Sequence, residues 1–161
     1  MKMENFEHRI YLELNSCGYN GSEINEILPD FITERKTLVG LTWEPSAEGP
    51  ESFLLLIIIT AGLSSMIKTF LAELSKDLYQ WTKSKLIPLF KKKKNPSGYI
   101  IFQIGDVKIS YFSEGGKELS DLFFSLPNLL SGIDNSITEG EWEIEYTKQK
   151  EWVIEYKPSG N

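Results

Sequence analysis

Cysteine and histidine occur once each in the 161 residues, as Cys17 and His8, and arginine only at positions 9 and 35. A single thiol rules out an intrachain disulfide and a structural zinc site built from several thiolates, and it fits a reducing cytoplasm. Any Ser-His-Asp or Cys-His arrangement would have to be built around these two residues, and neither is flanked by a nucleophile motif. His8 therefore reads as an exposed strand-end residue and Cys17 as a small buried or half-buried thiol. Scarce arginine removes the usual source of bidentate contacts to phosphates and bases, so nucleic acid is not the expected partner. The dinucleotide fingerprint, the H-E-x-x-H pair and the EF-hand loop are all missing. Gly115-Gly116-Lys117 precedes a helix, but Glu118 stands where a phosphate loop needs Ser or Thr. No catalytic, cofactor-binding or metal-ligating residue is expected, and the chain reads as non-enzymatic.

Long apolar runs are also scarce. The one candidate is Phe53 to Ile67, FLLLIIITAGLSSMI, fifteen residues where a spanning helix needs about 20. β-Branched Ile57, Ile58, Ile59 and Thr60 in succession favour a strand, and helical periodicity begins at Ala61. The expected reading is a central strand covered on both faces and feeding a helix. The alternative is a membrane-peripheral or membrane-anchored accessory protein that uses 53–67 together with Lys91, Lys92, Lys93 and Lys94. The N-terminal residues carry no secretory-type run, so a signal peptide is not expected.

What is present suits one globular domain spanning 1–161, with 41% apolar and 25% charged residues, able to bury roughly 70% of its unfolded surface around one core. The net charge of −6 is unevenly spread. Between 61 and 98 there are eight lysines against Glu73 and Asp77, net +6, while each flank sums to −6. Those lysines either lie near the chain's own acidic surfaces, within a subunit or across a dimer, or form a separate pole for an acidic partner.

Element by element, HRIYLEL at 8–14 reads as a strand, and a short helix capped by Ser22 runs to Leu28 before Pro29. TLVGLTW at 37–43 is a second strand, and EPSAEGPE at 44–51 a loop. The longest helix is expected over Ala61 to Leu86, with Leu63, Ile67, Phe70, Leu74, Leu78 and Trp81 on one face, ended by Pro88 and the lysine run. Tyr99 to Ile104 and Val107 to Phe112 form a hairpin about Gly105-Asp106. Lys117 to Leu130 is a helix distorted by Pro127. EWEIEY and EWVIEY, around TKQK, form a terminal hairpin at 140–157, a possible appended element. The sum is an α+β domain with a mixed or antiparallel sheet of about five to seven strands, one long helix and two shorter ones.

Candidate interaction residues are the aromatics Trp142, Tyr146, Trp152 and Tyr156 of the terminal hairpin, because aromatics supply much of interface energy; the competing role is to cover the long helix. Lys91, Lys92, Lys93 and Lys94 are the second set, either a solubilising loop or a contact for an acidic surface. Glu141, Glu143 and Glu145 share one strand face and could collect a cation, although a solvated face explains them better. Alternating glutamates would also discourage edge-to-edge pairing of the hairpin.

FLLLIIITAGLSSMIKTFLAELSKDLYQWTKSKL at 53–86 and YIIFQIGDVKISYF at 99–112 resemble the effector-associated constant component domains of bacterial conflict systems. The resemblance covers about two thirds of the chain and leaves out the hairpin from Glu141 onward. It implies a non-catalytic protein-interaction module, an adaptor or accessory component in bacterial defence, whose protein partner is a defence effector or NTPase. It carries over no functional residue. A homo-oligomer is compatible with it.

Overall fold

In the computed structural model the described residues are 8–15, 38–44, 52–92, 96–116 and 118–158, with side chains described at 8–12, 53–92, 96–116 and 118–158. Seven strands form one mixed sheet: β1 (His8–Asn15), β2 (Leu38–Glu44), β3 (Ser52–Ile59), β4 (Ser97–Ile104), β5 (Asp106–Ser113), β6 (Glu139–Tyr146) and β7 (Trp152–Lys157), in the order β2-β1-β3-β4-β5-β6-β7. The helical elements among the described residues are α1 (Ser65–Trp81), a π-helical turn Thr82–Leu86, α2 (Ile87–Lys91) and α3 (Leu119–Ser131). The class is α+β. The expected short helix at 22–28, its Ser22 cap, Cys17, the loop at 45–51, Lys93, Lys94 and Lys117 lie outside the described residues.

The aliphatic run at 53–59 is a strand. β3 lies between antiparallel β1 and parallel β4, and its alternate residues Phe53, Leu55, Ile57 and Ile59 are buried at 0–3% exposure. They meet Ile10, Leu12, Ile100, Phe102, Ile104, Val107 and Ile109 on one sheet face, under the buried side chains of α1 and α3. Each fully buried side chain of this kind contributes roughly 1.5–3 kcal/mol. The expectation that β3 is covered on both faces needs correcting. Leu54, Leu56 and Ile58 point to the other face and are only half-buried, and no helix among the described residues packs there.

Helix α1 begins after Ser64, whose extended backbone and Oγ, accepting the Ile67 N–H at 3.2 Å, close its first turn. It does not stop at Leu86. Pro88 lacks the N–H that an α-helix would direct to residue 84. The chain accommodates it by slipping one residue: the Ile87 N–H bonds to the Thr82 carbonyl across the π-turn, and Pro88 falls in the first turn of α2, where a missing N–H costs little. The helix thus reaches Lys91, five residues beyond the expected end.

Two crossovers build the helical layer. β3 leads through α1 to parallel β4, and β5 leads through α3 to parallel β6. Helices α1 and α3 run antiparallel beside each other, joined near one end by the Lys68 ammonium donating to the Ile133 carbonyl and near the other by Tyr79 and Phe124, ring centroids 5.9 Å apart. Because β4 and β5 are antiparallel, the two crossovers start in opposite directions yet advance the same way across the sheet. With both helices on one face they have opposite hands, so one departs from the right-handed rule for such units.

The β4–β5 hairpin keeps the expected Gly105-Asp106 loop, with Ile104 opposite Val107. Gly105 adopts φ +57° there, as the first position of a tight hairpin turn requires. At the start of β6, Gly140 has φ +123°, and a Cβ on it would stand 2.9 Å from the Tyr156 ring and 3.0 Å from Trp142. Glycine lets that aromatic pair come close to the backbone.

Candidate interaction surfaces

The terminal hairpin places its four aromatics on the helix side of the sheet. Trp142 is opposite Tyr156, Ile144 opposite Ile154 and Tyr146 opposite Trp152, while Ile109 on β5 is level with Trp142. Ring centroids are 4.9 Å apart for Trp142 and Tyr156, 4.8 Å for Tyr146 and Trp152, and 5.2 Å for Trp152 and buried Tyr111. The two expected roles are therefore divided among the residues. Trp142, Trp152 and Ile154 are half-buried against the core, whereas Tyr146 and Tyr156 remain 44% and 56% exposed.

The acidic row of the hairpin faces the other way and is interleaved with cations. Glu141 lies between Lys108 of β5 and Lys157 of β7, and the Lys157 ammonium is 3.6 Å from Glu143 and 3.9 Å from Glu155. These pairs are exposed and worth little individually, but they disperse the negative charge. Among the described residues no cluster of three His, Cys, Asp or Glu side chains could hold a metal ion.

Lys91 and Lys92 are exposed at the far end of the helix. Lys83 lies 5.4 Å from the Tyr79 ring centre and donates to its hydroxyl at 3.4 Å. Lys68 is used at Ile133, beside Asp134, whose carboxyl is held below its ordinary range mainly by the Ser136 N–H, then by the Ser136 side chain, with a smaller contribution from Lys68. The described lysines between 61 and 92 thus occupy the helical layer, and Glu141, Glu143 and Glu145 the opposite sheet face. No helix among the described residues is long and apolar enough to cross a membrane.

The turn before α3, compared above with a phosphate loop, is closed by its own side chains. The Tyr111 and Ser113 hydroxyls both donate to Glu118 Oε1, at 2.7 and 2.8 Å, and the Gly116 N–H donates to Ser113 Oγ at 3.1 Å. Burial, then the hydrogen bond and charge of Glu118, then Glu114, push the Tyr111 phenol far above its usual pKa. A carboxylate beside the amide an anion would use makes this a structural lock on the turn.

An apolar patch lies on the outer sheet face among the described residues. Leu54, Tyr99 and Phe112 form one cross-strand row, and Tyr11, Leu56, Ile101 and Ser110 the next. Tyr99 and Phe112 are 50% and 46% exposed, with ring centroids 5.1 Å apart. Arg9, Ile58, Gln103 and Lys108 make a third, more polar row. Searches of protein-family models, curated proteins and solved structures find no match. Sequence reasoning missed this patch because an unbroken aliphatic run suggests cover on both sides. The usable signal was the alternation of Tyr99 and Phe112 against buried Ile100 and Tyr111.

Proposed function

We propose that the chain is a non-catalytic protein-interaction module, the accessory or adaptor component of a bacterial defence system, and that its protein partner, a defence effector or signalling NTPase, seats on the outer sheet face. The observation that carries this reading is the row Leu54–Tyr99–Phe112, backed by Tyr11, Leu56 and Ile101. A contiguous apolar patch with exposed aromatics at its centre is the usual form of a protein contact. The likeness of 53–86 and 99–112 to effector-associated constant component domains supports the same reading and supplies the defence setting. The basic helical layer on the opposite side stays in water.

Co-expression with the products of the neighbouring genes, followed by size-exclusion chromatography, tests the proposal. One of those products is expected to co-elute with the chain. Tyr99→Lys combined with Phe112→Lys should abolish co-elution while circular dichroism and the thermal midpoint stay near those of the parent. Binding that survives the double substitution in a folded protein, or the absence of any neighbouring product that binds, overturns it.

A further inference from the structure

Strand β7 ends the sheet, and among the described residues no strand pairs with its outer edge. The Thr147 N–H donates to the Glu151 carbonyl at 2.8 Å, which fixes the phase of the β6–β7 ladder. In an antiparallel pair, alternate residues turn both backbone groups to the same neighbour. Glu151, Val153, Glu155 and Lys157 therefore point theirs toward β6, and Trp152, Ile154 and Tyr156 point theirs to the open edge. We infer that this edge pairs with the same edge of a second copy of the chain, antiparallel, about a two-fold axis through Ile154.

The sequence of the edge, EWVIEYK, is self-complementary about that residue and about no neighbouring one. Centred on Ile154, Glu151 falls opposite the second copy's Lys157, Trp152 opposite Tyr156 and Val153 opposite Glu155, and every pair occurs twice. Opposite-charge and aromatic cross-strand pairs are the ones that stabilise a ladder. Centred on Val153, Glu151 would face Glu155. Centred on Glu155, that carboxylate would face its own copy, and Trp152 would meet Pro158, which has no N–H to donate. Axes between residues would bring the wrong backbone groups to the edge. The phase of the ladder and the side-chain pattern select the same register.

Two other observations agree with a second copy as the occupant. Tyr156, 56% exposed, lies on the inner face of the edge strand itself, where an added strand brings the second copy's Trp152 against it. The glutamates expected to discourage such pairing, Glu141, Glu143 and Glu145, stand on β6, one strand in from the edge. On β7 itself the charges are Glu155, next to its Lys157 partner, and Lys157. Natural edges that avoid association carry lysine or proline in mid-strand, and here mid-strand is Val153-Ile154.

Sedimentation equilibrium of the full chain, with two charge reversals, tests the register. The parent is expected at twice the 18.4 kDa chain mass. Glu151→Lys alone and Lys157→Glu alone each set like charges opposite one another at both ends of the interface, and each should weaken the dimer roughly tenfold or more. An equal mixture of the two single variants restores opposite charges at both ends and should recover the dimer. A parent that is monomeric throughout, a dimer indifferent to both substitutions, or a mixture that stays dissociated overturns the inference. Tryptophan fluorescence reports whether each variant keeps its hairpin. The mixture separates a charge effect from a folding defect, because a damaged hairpin is not repaired by mixing.

Discussion

Replacing Thr82 by valine is expected to stabilise the protein. Thr82 is fully buried in the π-helical turn, and its hydroxyl has no hydrogen-bond partner among the described residues. Other hydroxyls of the same helix bond back to the carbonyl four residues earlier: Thr69 to Ser65 at 3.0 Å, Ser75 to Leu71 at 2.7 Å and Ser84 to Gln80 at 2.7 Å. At Thr82 the corresponding Leu78 carbonyl, with that of Tyr79, accepts the backbone N–H. A buried, unsatisfied hydroxyl costs about 1–3 kcal/mol, and a methyl in its place contributes about 0.8 kcal/mol of burial. Valine has the same branching and close to the same helix propensity. The expected net gain is about 1–2 kcal/mol, which for a chain of this length raises the thermal midpoint by roughly 3–6 °C. Urea unfolding followed by tryptophan fluorescence should show a higher midpoint with an unchanged slope. Thr82→Ala, which removes a methyl as well, should fall about 1 kcal/mol below valine. A valine variant less stable than the parent refutes the argument, because it means that the hydroxyl is bonded in solution.

Three further outcomes follow from single positions. A Cβ at Gly98 would stand 2.0 Å from the Phe53 carbonyl oxygen and 2.7 Å from its ring, which is packed on Phe90 at 4.9 Å; Gly98→Ala should cost about 3 kcal/mol in urea unfolding. Lys150 holds φ +64° in the turn of the terminal hairpin, so Lys150→Gly should gain about 1 kcal/mol by relieving a left-handed conformation, measured as a rise in thermal midpoint. The Asp134 carboxyl is depressed below its ordinary 3.8 by Ser136 and Lys68. The stability it contributes is therefore present at neutral pH and disappears as pH falls through the lowered value. Asp134→Asn should be slightly less stable than the parent at pH 7, with the difference shrinking as the pH is lowered into the acid range, by thermal melts across that range.

Strand and helix identities were legible because each rests on local periodicity. Ile10, Leu12 and the 53–59 run alternate or continue as strands do, and Leu63 to Trp81 recur at helical spacing. Pro88 misled because the rule it obeys concerns one hydrogen bond, and a π-turn satisfies that rule without ending the helix. Helix start at Ser65 rather than Ala61 depended on the Ser64 side-chain cap, which periodicity does not reveal. The terminal aromatics could be placed on one face from spacing alone. Their division into half-buried tryptophans and exposed tyrosines required knowing how far α3 reaches over β6 and β7. That no described helix packs on the outer face was hidden for a related reason: which face a crossover helix covers depends on the hand of the crossover, which no single segment encodes.

That hand has a functional consequence. Had both crossovers been right-handed, α1 and α3 would lie on opposite faces, and one of them would cover part of the face that carries Leu54, Tyr99 and Phe112. Opposite hands gather both helices over one face, and no helix among the described residues packs on the rows of β3, β4 and β5 opposite. Pairing through Ile154 compounds the effect, because an antiparallel edge contact has its two-fold axis normal to the sheet. Both outer faces then point to the same side of one continuous sheet, so the two patches face a partner together. A partner with two matching sites would bind the pair far more tightly than either patch alone, by raising the effective concentration of the second contact. The β7 edge and the outer face are thus physically coupled: charge reversals at Glu151 or Lys157, remote from Tyr99 and Phe112, should weaken binding of a bivalent partner and leave that of a monovalent one unchanged.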